Sequence, residues 1–257
     1  MKAMILAAGL GTRLRPLTDN RPKALVEVAG HTLLEITLSR LRAFGISEVI
    51  VNVHHFADMF IDYLKSNKNF GMRIEISRED VLLDTGGGLK KAAWFFLDDP
   101  NRLDEPLLLH NVDVISNIDF ARMLQFHTEN HALATLAVQD RETSRYLLFD
   151  DHNHLRGRRI EGDSSLATRH SLLPHAPEPS PLQPLAFSGI HIISPGLLPM
   201  LTEKGIFSII PSYLRLSAQG EKILAFRADD YYWRDLGRPA DLALAALDLE
   251  SGLRAKG

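Results

Sequence analysis

Two glycines, two arginines and a lysine crowd one short stretch: Gly9, Gly11, Arg13, Arg15 and Lys23. Glycine lets backbone N–H groups approach phosphate oxygens, and successive N–H groups form an anion-binding nest. Arginine adds a planar fork that matches phosphate, and lysine adds a compact charge. The chemistry of such a ribbon is the holding of a polyphosphate. Two familiar phosphate loops do not fit. A dinucleotide-binding fingerprint needs a third glycine at position 14, where Leu14 stands, and Pro16 blocks a helix starting there. A P-loop needs Gly-Lys-Ser/Thr, which does not follow. The bland alternative is an exposed loop with solvated cations; two prolines, three cations and placement after the first strand speak against it.

Other chemistries are excluded by what is missing. The chain of 257 residues has no cysteine, so disulfides, thiolate nucleophiles and zinc–thiolate sites are ruled out. None of the eleven histidines falls in H-E-x-x-H or a similar zinc spacing. A net charge of −3 leaves no bulk positive field for nucleic acid, so any phosphate must meet a local cluster of cations and amides. No run approaches the ~18 apolar residues of a membrane span, and the apolar start breaks at Gly9, too short for a secretory segment. A cytoplasmic protein with no nucleic acid or membrane partner is expected.

The elements that must position the ribbon read as alternating strands and helices. Residues 3–8 form a short buried strand. Thr32 opens a helix with Glu35 three residues on, a capping box, and Leu33, Ile36, Leu38 and Leu41 give it an apolar face. Residues 48–53, 73–77 and 107–110 read as further strands, 55–65 as a helix, and the glycine triplet 86–88 leads into a helix over 89–97. Alternation in units of about thirty residues predicts a parallel sheet covered on both faces. Ligands then bind outside the carboxyl ends of the strands. The ribbon, the triplet and Asp113 all fall just after strands, so they converge on one edge. In the second half, 132–139, 146–150, 185–193 and 222–227 read as strands, 207–216 and 240–249 as helices, and 163–184 as an exposed, flexible loop rich in Ser, Pro and His. No break in composition divides the chain, so residues 1–257 read as a single domain.

The run Leu6-Ala7-Ala8-Gly9-Leu10-Gly11-Thr12-Arg13-Leu14-Arg15-Pro16-Leu17-Thr18, followed by Arg21-Pro22-Lys23-Ala24-Leu25, resembles the signature of the sugar-1-phosphate nucleotidyltransferases, also called nucleotide-sugar pyrophosphorylases. Matching motifs recur at Gly86-Gly87-Gly88, Asn111-Val112-Asp113, Phe187-Ser188-Gly189-Ile190 and Trp233-Arg234-Asp235-Leu236-Gly237. The family's fold is a Rossmann-like three-layer α/β/α sandwich with a mostly parallel mixed sheet, which agrees with the order of elements above.

The resemblance implies roles. Leu6, Ala8, Gly9, Gly11 and Thr12 would wrap the nucleotide, with Asn111, and with Gly86 and Gly87 giving a base or ribose a flat surface; a tight helix entry is the other reading of the triplet. Arg13 would hold the phosphates that leave as pyrophosphate, and Lys23 the α-phosphate and incoming sugar phosphate. Asp113 and Asp235 would ligate Mg2+, which takes one or two carboxylates with waters and phosphate oxygens. The alternatives are a helix or turn cap for Asp113 and a β-turn start for Asp235. Ser188 and Gly189 would line the sugar pocket, with Glu161 as a further sugar contact or a solvated charge. The partners implied are a nucleoside triphosphate and a sugar 1-phosphate, in a monomer or homodimer.

Three departures from the family pattern stand out. Val112 replaces the usual glycine before the metal-binding aspartate, Gly162 replaces a lysine after Glu161, and no base-reading glutamine precedes the triplet. The phrase Leu83-Asp84-Thr85-Gly86-Gly87-Gly88 resembles the compact N-acetylmuramate-1-phosphate uridylyltransferases. Expected substrates are therefore UTP and N-acetylmuramate 1-phosphate or a related hexose 1-phosphate, with GTP and mannose or heptose 1-phosphate as the rival pair. Two other classes stay open: a catalytically silent binder of nucleotide sugars, and a nicotinamide-dependent oxidoreductase, which the missing third glycine opposes.

Overall fold

The computed structural model describes residues 1–161, the backbone of 167–168, and residues 181–252. The chain runs through β1 (Ala3–Leu6), a small hairpin of β2 (Glu27–Val28) and β3 (His31–Thr32), α1 (Leu33–Ala43), β4 (Glu48–Val53), α2 (Ala57–Ser66), β5 (Arg73–Arg78), α3 (Asp84–Phe96), β6 (Leu107–Asn111), β7 (Val114–Ser116) and α4 (Phe120–Glu129). The second half adds β8 (Ala134–Gln139), β9 (Arg145–Phe149), β10 (Leu155–Ile160), β11 (Ala167–Thr168), β12 (Gln183–Ile193), α5 (Leu197–Met200), α6 (Ile209–Ala218), β13 (Ile223–Arg227), β14 (Trp233–Asp235) and α7 (Pro239–Glu250).

Ten strands form one mixed sheet with the spine β11-β10-β9-β12-β6-β1-β4-β5, while β8 joins β12 and β13 joins β8. The β6-β1-β4-β5 portion is parallel, as the strand–helix alternation predicts. From β12 outward the pairing to β6, β8 and β9 is antiparallel. Strand side chains alternate between two cores. Ala3, Ile5, Val49, Val51 and Leu108 pack on the side of α1, α2, α4 and α7. Met4, Ile50, Leu107 and Leu109 pack on the side of α3 and α6. Period-2 alternation with both faces apolar is what a sheet between two helical layers requires, so the three-layer sandwich is as expected.

Several boundaries differ from the sequence reading for identifiable reasons. At α1 the Thr32 hydroxyl accepts the Glu35 N–H at 3.1 Å. The Glu35 carboxylate does not reach back to complete the box; it pairs with His31 at 2.9 Å. The glycine triplet does not precede α3 but forms its first turns, because the helix begins at Asp84. The expected loop 163–184 is shorter at its far end, since β12 begins at Gln183, two residues before the predicted strand. Ala167–Thr168 pair with Gly157 and Arg158 of β10; residues 163–166 and 169–180 of that expected loop lie outside the described residues. The strands β2, β3, β7 and β14, each two or three residues long, carry too few positions for a period to be read.

Three buried histidines are part of this scaffold. His127, on α4, meets the Thr135 hydroxyl at 2.9 Å and the Ser194 hydroxyl at 3.0 Å, so one ring nitrogen donates and the other accepts. Burial pushes its pKa down to about 4. His191 meets the Tyr213 hydroxyl at 2.7 Å and is pushed down to about 3 by burial and by the nearby His110. A base whose folded pKa is depressed adds stability above its unfolded value, near 6.5, and loses it as pH falls. The loss for His127 runs from about pH 6.5 down to about 4, at up to about 1.4 kcal/mol per pH unit. Urea midpoints measured across that window should fall with acid, and His127→Gln should flatten the slope by about one proton.

Candidate functional site

The phosphate ribbon hangs between the end of β1 and the start of β2. Its tight point is Gly11, with φ of 64°, where a Cβ would stand 2.9 Å from the Thr18 methyl and 3.2 Å from the Lys23 Cβ. The Gly11 carbonyl accepts from the Thr18 hydroxyl at 2.8 Å and from the Leu14 N–H at 2.8 Å. Leu14 is fully buried and pins the ribbon, while Gly9 opens onto empty space. The ribbon thus presents backbone and cations outward from one buried leucine.

A cleft of about 410 Å³ opens beside it, at the carboxyl ends of β1 and β6. Of the residues read from sequence, Leu6, Ala8, Gly9, Gly11 and Thr12 line it, as do Arg13, Lys23, Asn111 and Asp113. The volume falls within the ordinary range for a small-molecule pocket.

Asp113 and Asp235 come together although 122 positions separate their numbers in the chain (235 less 113). Asp113 sits in the turn between β6 and β7, and β7 pairs antiparallel with β14, placing Asp235 opposite Val114. The Leu236 N–H donates to the Asp113 carbonyl at 2.8 Å, closing the pairing. Lys23, almost wholly buried, forms an ion pair with the Asp113 carboxylate. The Asp235 carboxylate accepts the Gly237 N–H at 2.6 Å. A Cβ on Gly237 would lie 2.5 Å from Asp235 Oδ1 and 2.6 Å from Arg13 Nη2, so these two groups converge on one point. Burial, and then repulsion from Asp113, hold the Asp235 carboxyl above the usual carboxylate range; Lys23, the Gly237 N–H and Arg13 pull it partly back.

These residues fit a hard divalent cation. Two carboxylates at the mouth of a phosphate cleft are the donor set that Mg2+ takes when waters and phosphate oxygens supply the rest. The Asp235 carboxyl is raised first by its burial and then by Asp113, so a cation bound between the two would relieve the second of these. Among the described residues no group of three or more His, Asp or Glu side chains is arranged to hold a metal, so a self-contained cage is not what this site offers.

The remaining sequence-read residues divide. Gly86 and Gly87 are not part of the cleft lining. A Cβ on Gly86 would meet the Phe207 ring at 2.4 Å, and one on Gly87 would meet the Gly205 carbonyl oxygen at 2.7 Å. Their bareness admits the 205–207 segment, whose Phe207 carbonyl accepts both N–H groups at 3.0 and 3.1 Å. Ser188 and Gly189 adjoin the cleft through Asn111, whose amide nitrogen would sit 2.7 Å from a Cβ on Gly189 (φ 72°). The Ser188 hydroxyl is buried without a partner, and its carbonyl accepts the Trp233 indole N–H at 2.7 Å. Glu161 is exposed at the end of β10, its N–H on the Ser144 carbonyl at 2.9 Å, and does not line the cleft.

Sequence reasoning missed part of the lining. Leu82, Asp84, Thr85 and Ile206 wall the side opposite the ribbon. Asp84 adopts φ of 61°, uncommon for a residue with a Cβ. Asn52 was legible as a polar residue inside an apolar strand. Its Oδ1 accepts the Ala7 N–H at 2.8 Å and its Nδ2 donates to Glu79 at 2.8 Å, while Glu79 also takes the Leu83 N–H at 2.9 Å. Among the described residues His110 has no carboxylate hydrogen-bond partner. It packs edge-on to Phe120 at 6.0 Å, with Nδ1 2.8 Å from the Asn111 carbonyl oxygen, and burial pushes it down to about 4.

Comparison with known proteins decides the family. Residues 2–156 match the family model described as nucleotidyl transferase. This chain belongs to that family. It is 36% identical over 248 residues to the N-acetylmuramate alpha-1-phosphate uridylyltransferase of Caulobacter vibrioides, covering 95% of each chain. It is 30% identical to the mannose-1-phosphate guanyltransferase of Yarrowia lipolytica, over 94% of this chain but 62% of that longer protein. Two solved structures share the fold. HddC from Yersinia pseudotuberculosis, complexed with GMP-PN, has a TM-score of 0.72 at 20% identity over 96% of this chain and 99% of that one. A putative glucose-1-phosphate thymidylyltransferase from Bacillus anthracis, in complex with a sucrose, has a TM-score of 0.74 at 18% identity over 100% and 98%. The protein is a sugar-1-phosphate nucleotidyltransferase. Among the described residues no helix is long and apolar enough to cross a membrane.

The glycine triplet gives a clean test. Gly86→Ala and Gly87→Ala should each lower stability by about 1–3 kcal/mol through overpacking, measured by urea unfolding. Trimming the obstructing ring with Phe207→Leu should recover part of the loss for Gly86→Ala and little for Gly87→Ala, where the obstacle is a backbone oxygen. A base-stacking surface would instead show a higher nucleotide KM with stability unchanged.

Proposed function

We propose that the enzyme transfers a uridylyl group from UTP to N-acetylmuramate 1-phosphate or a related hexose 1-phosphate, with Mg2+, releasing pyrophosphate. The observation that carries this reading is the meeting of Arg13, Lys23 and Asp113 in the lining of a nucleotide-sized cleft, with the Asp235 carboxylate just behind, against Gly237 of that lining. A uridylyltransferase relative matching along almost the whole of both chains favours this donor and acceptor. The second reading, GTP with mannose or heptose 1-phosphate, draws on guanyl relatives that match 94% of this chain.

The reaction joins two anions, so its barrier is chiefly one of position and charge. The sugar phosphate oxygen attacks the α-phosphorus in line, and the β,γ-diphosphate departs. Because the nucleophile is already an anion, no proton need be removed by a general base. The ribbon amides from Leu6 to Thr12 cradle the triphosphate, and Arg13 neutralises the departing pyrophosphate. Lys23 lies between Asp113 and the α-phosphate position, where it draws nucleophile and electrophile together. Asp113 and Asp235 would hold the cation, which when bound would supply Lewis-acid charge neutralisation at the phosphates. Asn111, Ser188 and Gly189 form the seam toward the sugar, and Gly86 and Gly87 serve the nucleoside side by locating α3. Glu161, exposed and outside the cleft lining, is given no part in this reading. A silent nucleotide-sugar binder is disfavoured because all four charged groups are present and positioned together.

Pyrophosphate release from a matrix of nucleoside triphosphates and sugar 1-phosphates should be fastest with UTP and an amino-sugar phosphate, and should stop in EDTA. Lys23→Ala and Asp113→Asn should each lower turnover by on the order of 100-fold or more. Unchanged turnover in either variant would contradict the assigned roles, and no release with any pair would point to the silent binder. A second measurement separates the metal site from catalysis. Mg2+ should raise the melting temperature of the wild type but not of Asp235→Asn, which should melt slightly higher than the wild type in chelator because one buried like-charge pair is gone.

A further inference from the structure

One cation near the site has no part in the chemistry described above. Arg141 lies in the turn after β8, half-buried, with its guanidinium carbon 3.7 Å from the centre of the Trp233 ring. Its Nη2 donates to the Phe187 carbonyl at 2.9 Å, and its Nε is buried without a hydrogen-bond partner. Among the described residues no carboxylate stands within ion-pair distance of it. The platform beneath is fixed, since Trp233 is held by its indole N–H on Ser188 and by pairing with Ser116 of β7.

Position gives this cation meaning. Trp233 and Asp235 are two residues apart on β14, so their side chains share one face and lie roughly 7 Å apart along the strand. The Arg141 guanidinium, stacked on the Trp233 ring, is therefore a neighbour of the Asp235 carboxylate, close enough for the two charges to interact. An acceptor whose 1-phosphate is held beside Asp235 and Lys23 would therefore have Arg141 as a neighbouring cation. A second cation stands behind, Arg159 over the Tyr146 ring at 4.6 Å. Tyr146 accepts the Thr143 N–H at 3.2 Å, tying the 140–144 turn to β9.

We propose that Arg141 is a specificity-determining residue that pairs with a carboxylate carried on the hexose ring of the acceptor, away from its 1-phosphate. A half-buried guanidinium without a counter-ion is costly, and a hydroxyl satisfies its N–H groups but not its charge. Burial pulls the group's pKa down, and Asp235 and Tyr146 bring it only partly back. An acid-bearing acceptor supplies that charge bidentately, in the geometry an arginine fork presents. N-acetylmuramate 1-phosphate, with its lactyl ether, is of this class; N-acetylglucosamine 1-phosphate is the same sugar without the acid.

This inference rests on the acceptor being a sugar 1-phosphate, and binding tests it apart from turnover. Titration calorimetry with these two sugar phosphates, on wild type and on Arg141→Gln, is the first experiment. Wild type should bind the acid-bearing sugar more tightly, and the variant should lose on the order of 10- to 100-fold in affinity for it with little change for the neutral one. Arg141→Lys should recover part of the loss. Where pyrophosphate release is observed, the same asymmetry should appear in KM rather than in kcat. Equal binding of the two sugars by the wild type, or equal losses in the variant, would overturn the assignment. Absence of turnover with every pair would count against the proposed reaction and leave the binding comparison decisive for Arg141.

Discussion

Two carboxylates brought side by side in a partly buried cleft repel each other, and the rest of the site is arranged around that repulsion. Asp113 has its own cation in Lys23; Asp235 has an N–H from Gly237 and the more distant field of Arg13. The result is an alternating array of charges, with the Asp235 carboxyl raised above its ordinary range first by its burial and then by Asp113. Such an array is stable enough to fold and remains short of positive charge at one point. That point faces the phosphate ribbon. Two carboxylates leave most of an octahedral shell to other oxygens, so water or phosphate would complete the coordination of a cation held here.

The fold holds this array by the least conspicuous of its elements. β7 and β14 are three residues each and lie outside the main sheet, yet their pairing is what joins Asp113 to Asp235. Trp233, on the same face of β14, extends the array to the sugar side through Ser188. One short ribbon of backbone hydrogen bonds thus sets both the meeting of the two aspartates and the seat of Arg141. The long parallel strands contribute differently, by presenting their carboxyl ends at a common edge.

This division explains what was legible in the sequence. The ribbon from Leu6 to Lys23 could be read because its demands are local: glycine where φ is positive, cations in a row, a strand before them. The parallel half of the sheet could be read because six-residue apolar strands and eleven-residue helices carry a period. β7 and β14 carry none, and their aspartates were found through motif resemblance rather than through pattern. The triplet was read with the wrong neighbour in mind. Bare glycines after a strand look like room for a ligand, but Gly86 and Gly87 make room for Phe207 and Gly205, which arrive from more than a hundred residues away. No local signal distinguishes a glycine that admits a base from one that admits a distant ring. Arg141 was missed for a related reason, because a lone arginine in a turn gains significance only from the indole placed under it.

Gly88 shows how packing at the triplet still serves the chemistry. A Cβ there would stand 2.8 Å from both Asn52 Nδ2 and Glu79 Oε1. Those two buried side chains form a strut: Asn52 on β4 holds the Ala7 N–H at the start of the ribbon, and Glu79 holds the Leu83 N–H at the entry to α3. A buried carboxylate is tolerated because two N–H donors meet it, from Asn52 and Leu83, and leaving either bond unmade would carry a desolvation cost of about 1–3 kcal/mol. The strut therefore locks the spacing between the phosphate ribbon and the wall formed by Leu82, Asp84 and Thr85, which is the width of the nucleotide cleft. Glycine at position 88 is needed so that α3 can come close enough for the strut to close. The triplet then acts on the nucleotide at one remove, by fixing where the wall stands.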